Sequence, residues 1–423
     1  MMNHSWKFSR HVLFLLSGTC VLSILLGATT VQGATYHVAI NGSDSNPGTL
    51  NQPFKSFKKG VSLLQPGDTL YIRGGVYTEQ IDLQKPNKSG TVGNYITIAG
   101  YRGETVTLEY TELSEGGYGP IKARGNRGYL IFENLVLDGK NGADKSGWSI
   151  RDGNHHFILR NLEIMHFRVS GLYISANDIQ VINCSIHDQI SETGLPGHRY
   201  YGIYFHDGNN GLIEGNDIYN NPGGGIQAYP GTINNLVIRN NKIHDNNSTI
   251  HSPIGGIVIS GSGYAVANVS VYNNLLYNNG SSPLSGLSPG IRIDGPNTTG
   301  TKVWNNTVYK NKGYGLSISQ ANKTVVQNNI VYENVDGALF DSGTDTILSH
   351  NLTTDPKLLR SGTSDFRLQP RSPAIDAGTP LSQVSTDFRN VLRPQGKTHD
   401  IGAYEAEGSD FTSIATPQDL KIQ

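Results

Sequence analysis

The chain has 423 residues, among them 51 glycines, 34 acidic and 33 basic side chains, with a formal net charge of −1 and only 16% charged residues. This balance provides no strong field for nucleic acid or an acidic lipid surface, although a local basic stripe could still bind a polyanionic sugar. The composition is typical of a turn-rich β protein.

Residues 1–33 are predicted to be a secretory signal peptide, with a basic start, an apolar stretch from Val12 to Ala28 and a small-residue cleavage site ending at Gly33. The apolar stretch is long for a signal, so an uncleaved anchor is the alternative. We expect a secreted or cell-surface protein with no membrane association after cleavage. The mature chain then has one cysteine, Cys184, which we expect to be buried.

Residues 34–128 are predicted to form the amino-terminal cap and the first coils of a solenoid. Ala34 to Ile40 has the pattern of a strand. Pro53 to Leu64 is predicted to be a short amphipathic helix, whose apolar face is Phe54, Phe57, Val61 and Leu64. Such a helix could cover the open strand edge of the first coil.

Residues 129–356 are predicted to be regular coils, because two columns of residues recur along them, the first at intervals of 22 to 34 residues. In one column a Gly precedes apolar-x-apolar, at Gly147, Gly171, Gly202, Gly225, Gly256, Gly290, Gly315 and Gly337. The other column is Asn-x-x-apolar, beginning at Asn134, Asn161, Asn183, Asn240, Asn273, Asn305 and Asn328. The period fits a parallel β-helix with three short strands per coil. Asn tolerates left-handed backbone angles and can hydrogen-bond to turn backbone, so we interpret the Asn column as a structural ladder.

These columns, together with the stretch from Val38 to Ile81, resemble the right-handed parallel β-helix repeat proteins of the pectate-lyase-like superfamily, over roughly residues 35 to 405. The resemblance implies an all-β fold: a single-stranded right-handed parallel β-helix, or solenoid, with an N-terminal helical cap and an irregular C-terminal cap. Residues 357–405 resemble the closing segment of extracellular bacterial β-helix proteins, and 406–423 are predicted to be a flexible tail. Lyases, hydrolases, epimerases and non-enzymatic surface proteins share this fold, so it leaves the reaction open.

Strand alternation predicts which side chains of the Gly column point to solvent. The second residues after each Gly form one outward file: Ser149, Tyr173, Tyr204, Gln227, Val258, Arg292, Ser317 and Leu339. The fourth residues form another: Arg151, Ser175, His206, Tyr229, Ser260, Asp294, Ser319 and Asp341. In the enzymes that this chain resembles, such a face carries the saccharide.

Tyrosine and histidine cluster in the middle of these files, where aromatic faces can stack on sugar rings and imidazole can transfer protons. The catalytic candidates are His206 as base, Tyr204 as acid, and Arg199, with Arg151 as the alternative, as neutraliser of a substrate carboxylate. The predicted substrate-binding residues are Tyr173, Tyr229, Gln227, Arg151, His198, Arg292 and Asp207. Insertions at 188–201 and 245–254 could wall the cleft. The alternative interpretation is that aromatic residues simply favour exposed strand faces.

The favoured reaction is β-elimination on a uronate-containing polymer by a polysaccharide lyase. A non-catalytic carbohydrate-binding surface protein, a glycoside hydrolase and a C5-epimerase are the alternatives. Tyr201, Gly202, His206 and Asp207 match a motif of the alginate C5-epimerases, but Tyr204 replaces its Asp. The sequence shows no acidic cluster like the calcium site of pectate lyases and no zinc motif, so we predict no metal or other cofactor, with Ca²⁺ an open alternative. The predicted partner is a polysaccharide and the predicted state is a monomer.

Overall fold

The computed structural model describes residues 33–84, 87–110, 119–143, 146–190, 200–247, 254–280 and 288–407, and the side chains of 141–143 are excepted. Nearly all of the predicted signal peptide and all but the first two residues of the predicted tail lie outside the described residues. No helix in the described part of the chain is long and apolar enough to cross a bilayer.

Three long parallel sheets form the solenoid, and we name them A, B and C in the order in which a complete coil visits them. Sheet A begins at Thr35, sheet B at Gly75 and sheet C only at Trp148. The register shows how one coil stacks on the next: Ile182 pairs with Glu214 in sheet A, and Ile186 pairs with Ile218 in sheet B. This arrangement confirms the predicted parallel β-helix.

Within the described residues the three sheets contain most of the strands. Sheet A consists of Thr35–Val38, Thr69–Ile72, Ile96–Gly100, Gly128–Glu133, His155–Arg160, Gln180–Ile182, Leu212–Glu214, Val237–Arg239, Ser270–Tyr272, Lys302–Trp304, Val325–Gln327 and Ile347–Ser349. Sheet B consists of Gly75–Tyr77, Val106–Glu109, Val136–Ala143, Glu163–Phe167, Ser185–His187, Asp217–Tyr219, Lys242–His244, Leu275–Tyr277, Thr307–Tyr309 and Ile330–Tyr332. Sheet C consists of Trp148–Ile150, Ser170–Ser175, Tyr201–Asn209, Gly224–Ala228, Ile257–Ser260, Ile291–Asp294, Leu316–Asn322 and Leu339–Thr344, with the short strands Ile233–Asn234, Val266–Ala267 and Thr298–Thr299. Two further pairs are Ile81–Asp82 with Ile121–Lys122, and Leu358–Arg360 with Asp365–Leu368, and Ser361–Thr363 is a 3₁₀ turn.

The interior is an apolar column, with aliphatic side chains and aromatic ones such as Trp148 and Phe205, that no coil could bury by itself. In one coil, Ile213, Ile218 and Ile226 point inward from the three sheets and are fully buried. Each packs on its counterparts in the coils above and below, so the core is continuous from Val38 to Val331.

The turn from sheet A to sheet B contains two consecutive residues with different structural roles. The first, such as Asn240, Asn273 or Asn305, adopts a left-handed conformation with φ near +50°. The second turns its side chain inward, and Asn216, Asn241, Asn274, Asn306, Asn329 and Asn351 form a hydrogen-bonded ladder. The predicted column has the expected left-handed conformation throughout, and within it Asn161 donates to Asn134 and Asn328 donates to Asn305. The continuous hydrogen-bonded ladder, however, lies one residue after the predicted column.

The turn from sheet B to sheet C holds a second ladder that the sequence analysis did not predict. Its members are Asn221, Asn246, Asn279, Asn311 and Asn334. Cys184 occupies the position of the first ladder one coil before Asn216, and its backbone N–H donates to Asn216 Oδ1 at 2.8 Å. As expected, the Cys184 side chain is buried.

The amino-terminal helix is shorter than predicted and spans Phe57–Leu63. Ser56 caps it by accepting a hydrogen bond from Lys59 N at 3.1 Å. The Asp44 carboxylate holds the preceding residues outside the helix by accepting from the backbone of Lys55 and Ser56. Phe57 and Val61 are buried in the main core, and the capping role of the helix stays a prediction.

The closing segment, residues 357–405, lies back along the side of the solenoid. Its residues Phe366, Leu368 and Tyr404 form one cluster with Tyr277 and Tyr309 on the outer face of sheet B. The left-handed Asn residues of the A–B turns donate to its backbone carbonyls: Asn240 to Asp387, Asn273 to Thr386, Asn305 to Asp400 and Asn328 to Thr379. Inside the segment, Arg393 forms a fully buried ion pair with Glu405, with Nη1 to Oε2 at 2.6 Å.

The final coil departs from the predicted files. Leu316 pairs with Leu339 and Ile318 with Asp341, so Leu339 and Asp341 hold inward register positions, and Phe340 holds the outward one. The prediction that Leu339 and Asp341 point outward is wrong, because the repeat is displaced by one residue at Gly337. Leu348 is in register with the buried Val326 yet is 43% exposed. A carboxylate at an inward position is one means of ending the stacking of strands.

The buried Asn ladder should be a major source of stability. Asn274 is fully buried, its amide donates to Ile238 O, Tyr272 O and Asn306 Oδ1, and its Oδ1 accepts from Asn241. Asn274→Ala leaves buried groups on two neighbouring coils unpaired, so we expect a loss of about 3 kcal/mol or more. Urea unfolding would measure it, with the exposed Asn297→Ala as control. Equal small losses of unfolding free energy in the two variants would show that the ladder does not contribute substantially to stability.

Asp400 should make the closing segment sensitive to pH. Burial raises the pKa of its carboxyl from 3.8 to about 6, against the hydrogen bonds from Asp376 N and Ala406 N. The protonated form therefore favours folding: its contribution is complete below the unfolded pKa and is lost as the pH rises through about 6. Relative to Asp400→Asn, the wild type should lose up to about 3 kcal/mol between about pH 4 and pH 8.

Urea unfolding of both proteins across this pH range would measure that difference. The exposed Asp345→Asn serves as the control for removing one negative charge. A difference between wild type and Asp400→Asn that does not vary with pH would contradict the expectation.

Candidate active site

The outward side chains of sheet C form a continuous surface, which we call the cleft floor. In-register pairing places Ser149, Tyr173, Tyr204, Gln227, Val258, Arg292 and Ser317 in one file. Coils are about 4.8 Å apart, so neighbouring side chains in the file contact one another. The predicted first file is confirmed up to Ser317.

His206 occupies a β-bulge in the middle of the floor. Ile174 pairs with Phe205 and the next residue, Ser175, pairs with Asp207, so His206 is an extra residue on its strand. The prediction that His206 continues the second file is wrong, because Asp207 takes the place beside Ser175. Bulges re-aim a side chain and are common beside active sites.

The neighbouring coil comes very close to this bulge. Gly231 N donates to His206 O at 2.7 Å, and a Cβ at position 231 would lie 2.3 Å from the same oxygen. Glycine is therefore required there for the two backbones to meet.

Three rings come together at the bulge, as the sequence analysis predicted. The ring of His206 lies 5.3 Å from that of Tyr173 and 5.7 Å from that of Tyr204, measured between centroids. The two tyrosine rings are 5.4 Å apart and nearly perpendicular. Tyr201, which the sequence analysis did not select as a site residue, lies 5.3 Å from Tyr204 and is fully buried.

Burial lowers the pKa of the His206 imidazole below its ordinary value of 6.5, and the nearby Asp207 carboxylate acts in the opposite direction. At neutral pH the ring is therefore mainly uncharged, which is the form that can accept a proton. Its Nδ1 is buried and has no hydrogen-bond partner among the residues that the structure describes.

Gln227 adjoins this group on the next coil, in register with Tyr204. Its side chain is 7% exposed, and its Oε1 is a second buried polar atom for which the described part of the chain supplies no partner. Tyr229 follows the same strand directly after Ala228, which pairs with Phe205. Both predicted binding residues therefore lie at the floor beside the bulge.

The two arginines of the floor lie farther away. Arg292 is three strands from Tyr204, roughly 14 Å at the usual strand spacing, and forms an ion pair with Asp294. A substrate carboxylate would have to compete with that buried Asp294 for Arg292. Arg151 follows the strand Trp148–Ile150, two strands from the bulge, or roughly 10 Å.

The structure describes only the ends of the two insertions that were predicted to wall the cleft. His198 and Arg199 lie outside the described residues, as do the central parts of both predicted insertions. At the described ends of these insertions, Tyr201 and Ile254 form a buried cluster with Val258, against which Tyr204 packs. Val258 faces outward from the floor but is only 3% exposed, so apolar side chains cover the floor at this point.

The described residues contain no group of three or more His, Cys, Asp and Glu side chains arranged to hold a metal ion.

The sequence contains one weak indication of the bulge at His206. Phe205 and Ile213 are separated by one residue more than their partners Ile174 and Val181.

Comparison with known proteins places these features in a family. A model described as "Pel9A-like, right handed beta helix region" matches residues 36–199, and one described as "Right handed beta helix region" matches 121–295 and 256–366, more than half of the chain. Pectate lyase L of Dickeya dadantii (strain 3937) is 24% identical over 93% of this chain and 96% of its own length.

Two solved structures also resemble the chain. Pectate lyase Pel9A has a TM-score of 0.66 and 21% identity, covering 88% of this chain and 96% of that one. A rhamnogalacturonan lyase has a TM-score of 0.51 and 17% identity, covering 85% and 99%. At this identity the likeness of the structures shows the fold alone, and with the family match it confirms the predicted right-handed parallel β-helix.

The low pKa of His206 can be measured directly. We expect its ring resonances, followed by NMR across pH, to titrate with a midpoint below 6.5, because burial disfavours the imidazolium. The exposed His350 provides an internal comparison in the same spectra, and His206→Gln assigns the signal. A midpoint above 6.5 would show that the Asp207 charge outweighs burial.

Proposed function

Since this chain belongs to the right-handed β-helix family and matches its Pel9A-like region, we propose that it is a secreted enzyme that cleaves a uronate-containing polysaccharide by β-elimination. The observation that carries the proposal is the position of His206, which occupies a β-bulge beside Tyr173 and Tyr204, where burial lowers the pKa of its imidazole. Similarity to pectate lyase L along nearly the whole chain supports a lyase that acts on a uronate polymer.

Elimination needs a base for the C5 proton, an acid at the leaving C4 oxygen and a cation that stabilises the charge on the substrate carboxylate. We assign the first role to His206 and the second to the Tyr204 hydroxyl. Arg199 is our candidate for the third, with Arg151 as the alternative. Tyr173, Gln227 and Tyr229 then bind sugar rings beside the reacting residue, and Asp207 positions His206.

Secretion is part of the proposal, and it rests on the predicted signal peptide, residues 1–33. A contact at the predicted cleavage site is compatible with it. The backbone nitrogen of Ala34 lies 2.7 Å from Oδ1 of the buried Asp68. Cleavage after Gly33 would convert that amide into an ammonium group, and a charged donor bonds more strongly to a carboxylate than an amide does.

Glycoside hydrolysis is less compatible with the floor. It requires two carboxyl groups about 5 to 10 Å apart. Asp207 and Asp294 lie three strands apart, roughly 14 Å.

The test is an assay of the purified protein on pectate, alginate and glycosaminoglycans, with detection of unsaturated chain ends by ultraviolet absorbance. His206→Gln keeps the size of the side chain but cannot take up a proton, so kcat/KM should fall about 10²- to 10⁴-fold. His350→Asn, on an exposed turn of the last coil, should leave the rate unchanged. Polymer binding without product, unaffected by His206→Gln, would instead indicate a non-catalytic carbohydrate-binding protein.

A further inference from the structure

The proposed base and acid approach the substrate from one side. Tyr204 and His206 belong to the same strand, their ring centroids are 5.7 Å apart, and both rings contact Tyr173 on the adjacent coil. These contacts place both groups on the cleft floor, so a sugar lying on the floor presents the same face to both.

From this placement we infer that the cleft acts on uronates whose C5 hydrogen and C4 oxygen lie on the same face of the ring, namely D-mannuronate or D-glucuronate. The inference rests on the proposed elimination and narrows its substrate class.

Sugar stereochemistry supplies the link. In D-manno and D-gluco uronates, H5 and O4 are both on the lower face of the ring, so floor groups can reach both in a syn elimination. In D-galacturonate O4 lies on the upper face, and in L-guluronate H5 does, so the two departing groups are on opposite faces. Two groups on the cleft floor can then reach only one of the two departing groups.

The proton transfers balance as follows. His206 takes the C5 proton, and the C5–H electron pair forms the C4=C5 double bond. The C4–O bond breaks, its electron pair leaves on the departing sugar's oxygen, and the Tyr204 hydroxyl supplies that oxygen with a proton. The imidazolium then gives its proton back to the tyrosinate, directly or through water, which restores both groups.

The cluster against which Tyr204 packs consists of Tyr201, Ile254 and Val258. Of these three only the Tyr201 phenol could donate a proton, and Tyr201 is fully buried, so a sugar on the floor can reach Tyr204 but not Tyr201. A galacturonate bound with H5 toward His206 would direct O4 away from the floor and so away from Tyr204.

The experiment compares four homopolymers with the wild-type protein: polymannuronate and glucuronan against polygalacturonate and polyguluronate. We expect unsaturated product from polymannuronate or glucuronan at a rate at least about tenfold above that from the other two. This comparison needs no variant, so it does not depend on whether a substitution folds.

A second measurement tests the role of Tyr204. Tyr204→Phe keeps the ring stack but removes the proton donor, so kcat should fall about 10²-fold or more with little change in KM. Tyr272→Phe, on the outer face of sheet A, removes a hydroxyl away from the floor and should leave kcat unchanged. Equal melting temperatures would show that both variants fold.

The outcomes separate the two proposals. Unsaturated product mainly from polygalacturonate or polyguluronate, or at similar rates from both classes, would overturn the stereochemical inference and leave the elimination standing. Absence of unsaturated product from all four polymers and from glycosaminoglycans would overturn the proposed function, and the inference with it.

Discussion

A single coil of this protein cannot bury its own apolar face, and the whole structure depends on that constraint. Each coil is three short strands and three turns, with inward residues such as Ile213, Ile218 and Ile226 that are covered only when another coil stacks on each side. Parallel hydrogen bonding fixes the register of that stacking. A regular register is also what aligns outward side chains into files, so the cleft floor is a consequence of the packing of the core.

The turns solve a problem that this stacking creates, because every tight corner would leave polar backbone groups in the interior. An Asn that points inward satisfies them with its amide and repeats the pattern on the next coil. Its neighbour, such as Asn240 or Asn305, takes the left-handed conformation and turns its amide outward to the closing segment. One dipeptide thus supports the interior on one side and attaches the carboxy-terminal segment on the other.

The candidate site is a local exception to that regularity. Where the strand carries one residue too many, His206 leaves the file and its ring comes to lie among tyrosines, while Asp207 restores the register. Burial lowers the pKa of the imidazole, and glycine on the next coil lets the backbones approach. The chemistry proposed here follows from this one insertion, because it brings a proton acceptor and a phenol to the same face of a bound sugar.

The sequence by itself determined the repeat, the parallel β-helix, the Tyr173–Tyr204–Gln227 file and the clustering of His206 with the tyrosines, because strand alternation and spacing are local properties of the chain. It identified the Asn column that takes the left-handed conformation, but it placed the continuous hydrogen-bonded ladder one residue too early and missed the second ladder. The reason is that adjacent asparagines look alike until it is known which one faces the interior. It also missed the bulge at His206, the displaced register of the last coil and the path of residues 357–405 along the A–B turns. Those features are decided by pairing between coils that lie 20 to 150 residues apart in the chain, so only the tertiary structure could settle them.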